Sequence, residues 1–110
     1  MRVSTIAESG LWSAVRALEV AASNVANVNT PGFVPARAVH AARASGGVVT
    51  TIEHGEATVT SDPSGLQPLS GTDLVSETVA QLAAARAFSA NLAVLRTDQD
   101  MQAELVRTRR

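Results

Sequence analysis

The sequence predicts a mainly α-helical fold, in which two long terminal helices form an antiparallel, coiled-coil-like pair with a small β-hairpin and loop insert between them. Three observations support this fold class. Apolar residues recur at helical spacing near both ends of the 110-residue chain, all four prolines fall between those stretches, and two β-branched runs share that central region. We divide the chain into an N-terminal helix over 1–29, an insert over 30–72 and a C-terminal helix over 73–110.

The composition favours a chain that completes its packing with other chains. Apolar residues make up 45% of the sequence but aromatic residues only 3%, and most of the apolar residues are alanine and valine. Burial stabilises by about 25 cal/mol per Å², so a thin alanine and valine contact leaves little surplus over the lost chain entropy. The net charge of −1 argues against nucleic acid as a partner.

The N-terminal stretch MRVSTIAESGLWSAV lacks the apolar core of a signal peptide, because Glu8, Ser9 and Gly10 interrupt it. No segment approaches the roughly 20 consecutive apolar residues of a membrane span. We therefore expect no direct membrane insertion. If the chain leaves the cytoplasm, we expect it to do so without a cleaved signal.

The first helix is predicted from about Val3 to Val28. Its apolar positions recur at steps of three and four, the seven-residue repeat typical of a narrow coiled-coil seam. These positions are Leu11, Ala14, Leu18, Ala21, Val25 and Val28.

The end of this helix carries three asparagines, Asn24, Asn27 and Asn29, in the stretch NVANVNTPGF. Asparagine is disfavoured inside a helix because its side chain competes for nearby backbone groups. One asparagine can cap a helix, whereas three indicate a surface that binds a partner. The alternative is that they merely end the helix before a tight turn, which Pro31-Gly32 predicts.

The insert contains two β-branched runs, 48–53 and 56–60, which predict a hairpin that turns at His54-Gly55. A loop follows over 61–71. A lone two-stranded hairpin is marginal in water, so we expect it to pack on another element.

The second helix is predicted from Asp73, which can cap its N-terminus, to Arg107. Asn91 lies mid-helix, and is either an exposed polar residue or a buried amide that fixes the register of packed helices. The apolar stripe comprises Val75, Val79, Leu82, Ala85, Phe88, Leu92 and Leu95, continued by Met101 and Leu105. We predict that the stripe of the first helix, at Leu11, Leu18 and Val25, packs on Leu82, Phe88 and Leu95.

No arrangement of residues predicts an enzyme. His40 and His54 show no metal spacing. Asp98, Asp100 and Glu104 fit a polar helix face better than a calcium loop, since the glycine of such a loop is missing. The sequence has no nucleophile elbow, phosphate loop or dinucleotide fingerprint and no cysteine. We therefore expect no catalytic residue, no cofactor and no metal site.

The two ends of the chain together resemble the bacterial flagellar basal-body rod protein family. SNVANVNTPGF resembles the N-terminal signature of flagellar axial proteins, in which a helix ends in an asparagine-rich segment followed by Thr-Pro-Gly and an aromatic residue. DLVSETVAQLAAARAFSANLAVLRTDQDM resembles the C-terminal helix of the same family. The short middle is most similar to that of the small proximal-rod members. Phe33 and Phe88 stand where the family often has tyrosine.

This resemblance implies a structural subunit of the proximal rod, located in the periplasmic part of the flagellar basal body. Such subunits are exported by the type III apparatus without a cleaved signal, and fold as they assemble into a helical axial polymer. The implied partners are the export apparatus and other rod and axial subunits, including further copies of this chain. The alternative is a helical-hairpin adaptor or chaperone of flagellar axial proteins that does not polymerise.

On this interpretation the three asparagines are exposed in the single chain and bind neighbouring subunits in the polymer. Unpaired buried amides would cost about 1–3 kcal/mol each, which would enforce correct stacking. The predicted subunit interface comprises Leu11, Leu18, Asn24, Val25, Asn27, Asn29, Thr30, Pro31, Gly32, Val79, Leu82, Phe88, Asn91, Leu92 and Leu95.

Overall fold

The computed structural model describes residues 2–55 and 69–109. The elements are helix α1 (Val3–Ala26), strand β1 (Ala36–Ala42), strand β2 (Val48–His54) and helix α2 (Leu74–Thr108). The structure is mostly helical, with a small antiparallel hairpin between the two helices, as the sequence predicts. The molecule measures 78 × 25 × 14 Å, and the 35 residues of α2 alone form a rod of about 50 Å.

Helix α1 ends two residues before the predicted position, because Asn27 caps it. The backbone N–H of Asn27 donates to Ser23 O at 3.1 Å, and its Nδ2 donates to the same carbonyl at 2.9 Å. Thr30 Oγ1 then donates to Asn27 Oδ1 at 3.0 Å. The tight turn predicted at Pro31-Gly32 is confirmed, since Phe33 N donates to Thr30 O at 3.2 Å and Gly32 has φ of 74°.

The hairpin differs from the predicted one. Strand β2 forms where the first β-branched run lies, but it pairs with β1, from Ala36 opposite His54 to Ala42 opposite Val48. The turn between them contains Gly46 and Gly47, whose φ angles are 98° and 86°. The predicted second strand, 56–60, lies outside the described residues. Alanine is a weak strand former, and here the pairing with β2 and the packing on α1 override that preference.

Helix α2 begins as predicted, with Asp73 as its N-terminal cap. Asp73 Oδ1 accepts from Val75 N at 3.0 Å, and Ser76 Oγ donates to Asp73 Oδ2 at 3.0 Å. The Ser76 hydroxyl and, after it, the Val75 amide hold the pKa of Asp73 below the ordinary value of an aspartate. The helix ends at Thr108, one residue beyond the predicted end.

Helix α2 is also long and apolar enough to cross a membrane, judged by length and composition alone. This corrects the expectation that no segment approaches a membrane span. A single helix of this kind is weak evidence for membrane insertion, and one face of α2 packs on α1.

Helices α1 and α2 lie side by side in opposite directions. Gly10 near the start of α1 lies against Asn91 in the second half of α2, whereas Asn24 near the end of α1 bonds to Glu77 in the first turn of α2. The hairpin packs on α1 through both strands, and in the part of the chain that the structure describes neither strand contacts α2. Helix α1 is therefore the central element, with α2 and the hairpin on different sides of it.

Candidate subunit interface

The contact between α1 and α2 is made by small residues. Ala7, Ala14 and Ala21 are buried and recur every seven positions along α1, and Ala84 is buried on α2. A Cβ atom added at Gly10 would lie 2.5 Å from Cγ of Asn91, so no larger residue fits there without a shift. We call Ala7, Gly10, Ala14, Ala21 and Ala84 the alanine seam. Such small residues let the backbones of the two helices approach closely.

The large apolar residues lie beside this seam, which corrects the predicted packing of Leu18 on Leu82. Leu18 is 46% exposed and Leu82 54% exposed. At about 100° per residue, Leu82 lies on the side of α2 opposite Ala84, and Val79 is exposed near it. The remaining members of the predicted pairing are half-buried or slightly exposed, namely Leu11, Val25, Phe88, Leu92 and Leu95.

The predicted seam of the first helix includes Ala14 and Ala21, which are buried, but the predicted packing relied on the larger Leu11, Leu18 and Val25 instead. Leu18 is only four residues from Ala14, about 40° around the helix, so both residues fit the same seven-residue repeat. The face that enters the contact is the one that permits the closer approach. The spacing of Ala7, Ala14 and Ala21 is the signal that could have identified it.

Among residues 2–55 and 69–109, Asn24 is the most buried polar residue, with 1% of its surface exposed. Its Nδ2 donates to Ala36 O and to Glu77 Oε1, both at 2.9 Å, and its Oδ1 accepts from Ala36 N at 3.0 Å. Its backbone carbonyl accepts from Thr72 Oγ1 at 3.0 Å. The expectation that Asn24 is exposed in the single chain is therefore wrong. This side chain joins α1 to the start of β1 and the start of α2.

The other residues of the asparagine-rich segment remain accessible. Asn27 is half-buried, and its side chain serves as the helix cap. The stretch 29–32, which comprises Asn29, Thr30, Pro31 and Gly32, is exposed. An exposed turn at the end of a helix can contact another chain, so the predicted role of these residues stays a prediction.

Asn91 faces Gly10 of α1, and its predicted role in fixing the register of the helices stays a prediction. It is half-buried, and its side chain occupies the space that a Cβ of Gly10 would fill. Its Nδ2 donates to Ala87 O at 2.8 Å, within its own helix. The Asn91 side chain therefore fits against α1 only because residue 10 is a glycine.

The hairpin is held to α1 by hydroxyl groups that the sequence did not single out. Ser9 Oγ accepts from Val48 N at 3.1 Å, and Thr50 Oγ1 donates to Ser13 Oγ at 2.8 Å. His40 Nδ1 shares a hydrogen bond of 2.8 Å with the same threonine hydroxyl. Within residues 2–55 and 69–109, no group of three or more histidine, aspartate or glutamate side chains is placed to hold a metal ion.

A groove of about 800 Å³ separates the hairpin from α2. Residues of α1 form its floor, and its α2 wall includes Ala80, Ala83 and Ala87, which are exposed. The groove is mostly apolar, and it exists because both the hairpin and α2 contact α1 but not each other.

These features define an elongated helical-hairpin protein with a β insert and uncovered apolar faces on both helices. Residues 5–33 match the family of flagella basal body rod proteins. Residues 68–108 match the C-terminal family of flagellar basal body rod FlgEFG proteins. The chain belongs to the flagellar basal-body rod protein family, as its two ends indicated. No curated protein sequence matches it.

The two matched segments meet in the fold. The first spans nearly all of α1 and the tight turn after it, and the second spans α2 with the residues just before it. Asn24 lies in the first segment and Glu77 in the second, so their hydrogen bond joins the two family regions directly.

Proposed function

We propose that this chain is a structural subunit of the proximal rod, which assembles into a helical axial polymer by folding coupled to assembly after type III export. Membership of the rod family supports a structural role in the basal body. The observation that carries the finer proposal is the exposure of large apolar residues beside the alanine seam on both helices. Exposed apolar surface of this kind marks sites of protein contact.

One proposed contact face lies on the side of the helix pair away from the hairpin. Leu11, Leu18 and Val25 recur every seven residues on that flank of α1. By the same helical geometry, Phe88 and Leu92 lie on the matching flank of α2. The coiled-coil-like contact that these residues were expected to make within one chain is assigned here to a contact between chains.

A second proposed face lies on α2 opposite the seam. Val79 is 62% exposed and Leu82 54% exposed, and both point away from α1 by helical geometry. Two different faces on one subunit allow contacts that do not close on themselves, and such contacts build a helical polymer. The exposed turn at 29–32 supplies a third contact.

We reassign Asn24 from contact between subunits to a contact within the chain. Both hydrogens of its amide are already donated to Ala36 and Glu77. Folding coupled to assembly fits this arrangement, because the alanine seam buries little area and most of α2 is exposed. Neighbouring subunits then provide the burial that the single chain lacks.

The substitution Leu18→Asp tests the first face. Because Leu18 is 46% exposed, the variant should have the same circular dichroism as the unmodified chain and should still be exported, but it should be missing from purified basal bodies. Ser23→Asp, an exposed position on another side of α1, is the matched control and should be incorporated. Normal incorporation of Leu18→Asp would overturn the proposed face. If the unmodified chain is exported but never found in basal bodies, the result would favour the adaptor or chaperone role.

A further inference from the structure

The backbone of β1 presents hydrogen-bonding groups to the groove between the hairpin and α2. In an antiparallel pair, successive residues direct their N–H and C=O groups alternately toward the partner strand and away from it. Ala36 directs both groups away from β2, since they bond to the side chain of Asn24. The register from Ala36 to Ala42 is unbroken, so Ala38 and His40 direct the same groups away from β2. All three outward-directed residues, Ala36, Ala38 and His40, line the groove.

The turn end of the hairpin shows the same alternation. Arg43 N donates to Gly47 O at 3.0 Å, so this odd-numbered residue bonds across the hairpin. Val48, an even-numbered residue of β2, instead directs its N–H away from β1 and donates to Ser9 Oγ of α1 at 3.1 Å. Both observations place the outward-directed backbone groups of each strand on its even-numbered residues.

Asn24 shows how this edge of β1 is satisfied where it is covered. Its amide exchanges two hydrogen bonds with Ala36, and these are the two bonds that a residue of an added antiparallel strand would make. Among residues 2–55 and 69–109, no hydrogen bond reaches the backbone N–H or C=O groups of Ala38 and His40. An open strand edge of this kind is a template for pairing with another chain.

The opposite wall of the groove suits the side chains of an added strand. Ala80, Ala83 and Ala87 are exposed there along α2, and their methyl groups leave a space of about 800 Å³ between α2 and the hairpin. The edge from Ala36 to His40 is about 13 Å long, at about 3.3 Å per residue. An extended segment with small or apolar side chains therefore matches both walls, because only an extended backbone presents N–H and C=O groups at the spacing of a strand.

The charged side chains that line the groove lie at one end of it. Arg37 follows Ala36 on the hairpin side, and Asp73 and Glu77 lie at the start of α2. These groups are close to Asn24 and include both signs, and Glu77 already accepts from Asn24. Three further acidic residues of α2 lie past the groove, toward the C-terminal end of the helix, namely Asp98, Asp100 and Glu104. The middle of the groove is therefore uncharged and favours an uncharged segment.

We propose that, in the assembled polymer, an extended segment of a neighbouring rod subunit adds to the open edge of β1 as a third strand. Its backbone pairs with Ala38 and His40, and its small or apolar side chains pack on the alanines of α2. The groove exists only where α1 carries both the hairpin and α2, so the segment binds a chain whose helices are already paired. This inference rests on the proposed function, under which that pairing accompanies assembly, and names a contact that the function leaves open.

A proline on the open edge tests the backbone pairing. Ala38→Pro removes one outward N–H and no bond between β1 and β2, and proline is tolerated at such positions. His54→Pro is the matched control, because it removes an outward N–H from the other edge of the hairpin. In purified basal bodies, Ala38→Pro should fall about fivefold or more below the unmodified chain, the equivalent of one lost hydrogen bond. His54→Pro should stay within about twofold, and equal amounts of the two variants would overturn the proposal.

A tryptophan on the opposite wall tests the occupancy without altering the backbone of the hairpin. Ala83→Trp fills the groove and should lower incorporation about tenfold or more, whereas the small Ala83→Ser should stay within about twofold of the unmodified chain. If Ala83→Trp blocks incorporation and Ala38→Pro does not, the groove receives a helix or another segment that makes no strand pairing, and the proposal fails. If only Ala38→Pro blocks incorporation, loosening of the hairpin is the cause, and the proposal fails as well.

Two further comparisons identify the occupant. Replacing residues 57–67 by a glycine–serine linker of equal length should leave incorporation within about twofold, and a loss as large as that of Ala38→Pro would assign the edge to the chain itself and overturn the proposal. The secreted amount of Ala38→Pro should equal that of the unmodified chain, because the contact forms on assembly, and reduced secretion would assign the groove to an export partner instead.

The unmodified chain separates failure of this inference from failure of the proposed function. Its absence from basal bodies would refute the rod role and the strand contact together. Its presence, with Ala38→Pro incorporated to the same extent, would leave the rod role standing and refute the strand contact alone.

Discussion

Asn24→Asp should destabilise the folded chain far more than the same change at an exposed asparagine. The substitution keeps one oxygen to accept from Ala36 N, but removes both N–H donors. The bonds lost are those to Ala36 O and Glu77 Oε1, each 2.9 Å long. The substitution also places a second carboxylate at hydrogen-bonding distance from Glu77.

The size of the effect follows from these contacts. Two hydrogen bonds contribute about 1 kcal/mol each, and the facing carboxylates add about 2 kcal/mol or more, because the site is sheltered from water. We therefore expect the free energy of unfolding to fall by about 4 kcal/mol. At about 4 °C for each kcal/mol in a chain of this size, Tm should fall by roughly 15 °C.

Thermal unfolding followed by circular dichroism at 222 nm measures this loss. Asn29→Asp, an exposed position in the same segment, is the matched control, and its Tm should change by roughly 2 °C at most, as for other surface changes. Adding Glu77→Gln to Asn24→Asp should restore about half of the loss, because the glutamine amide can donate to the new carboxylate. Equal Tm values for the two aspartate variants would refute the structural role of Asn24.

Three further predictions concern the seam, the hairpin and the helix cap. Gly10→Ala should lower the free energy of unfolding by about 1 kcal/mol, because the added methyl group clashes with Asn91. In an Asn91→Ala background the same substitution should raise the free energy of unfolding by about 1 kcal/mol, because only helix propensity then counts. Thermal unfolding of the four chains checks this change of sign. Ser13→Ala removes the hydroxyl that holds the hairpin, so amide exchange in β2 should quicken about fivefold, and unchanged exchange would contradict the tether. The lowered pKa of Asp73 means that its contribution to stability is present at neutral pH and is lost only as the pH falls below the ordinary aspartate range. Ser76→Ala should raise that pKa in an NMR titration.

Local features of the fold could be predicted from the sequence because they depend on neighbouring residues. The cap at Asp73 and the turn at Pro31-Gly32 follow from side-chain and backbone preferences within four residues. The helix boundaries were correct to within two residues for the same reason.

The contacts between distant parts of the chain could not be predicted in this way. The partners of Asn24 lie 12 and 53 residues away, and nothing in the local pattern marks Ala36 as one of them. The strand partner of β2 is an alanine-rich stretch with weak strand preference. Which of two adjacent helix faces is buried depends on how closely the helices approach, and only the three-dimensional packing decides between Leu18 and Ala14.

The proposed role in the rod is tested most directly by deleting the gene and imaging purified basal bodies by electron microscopy. The account predicts structures that stop at the membrane-embedded ring without a rod, and recovery of the rod when the unmodified chain is restored. Intact rods and hooks in the deletion strain would contradict it.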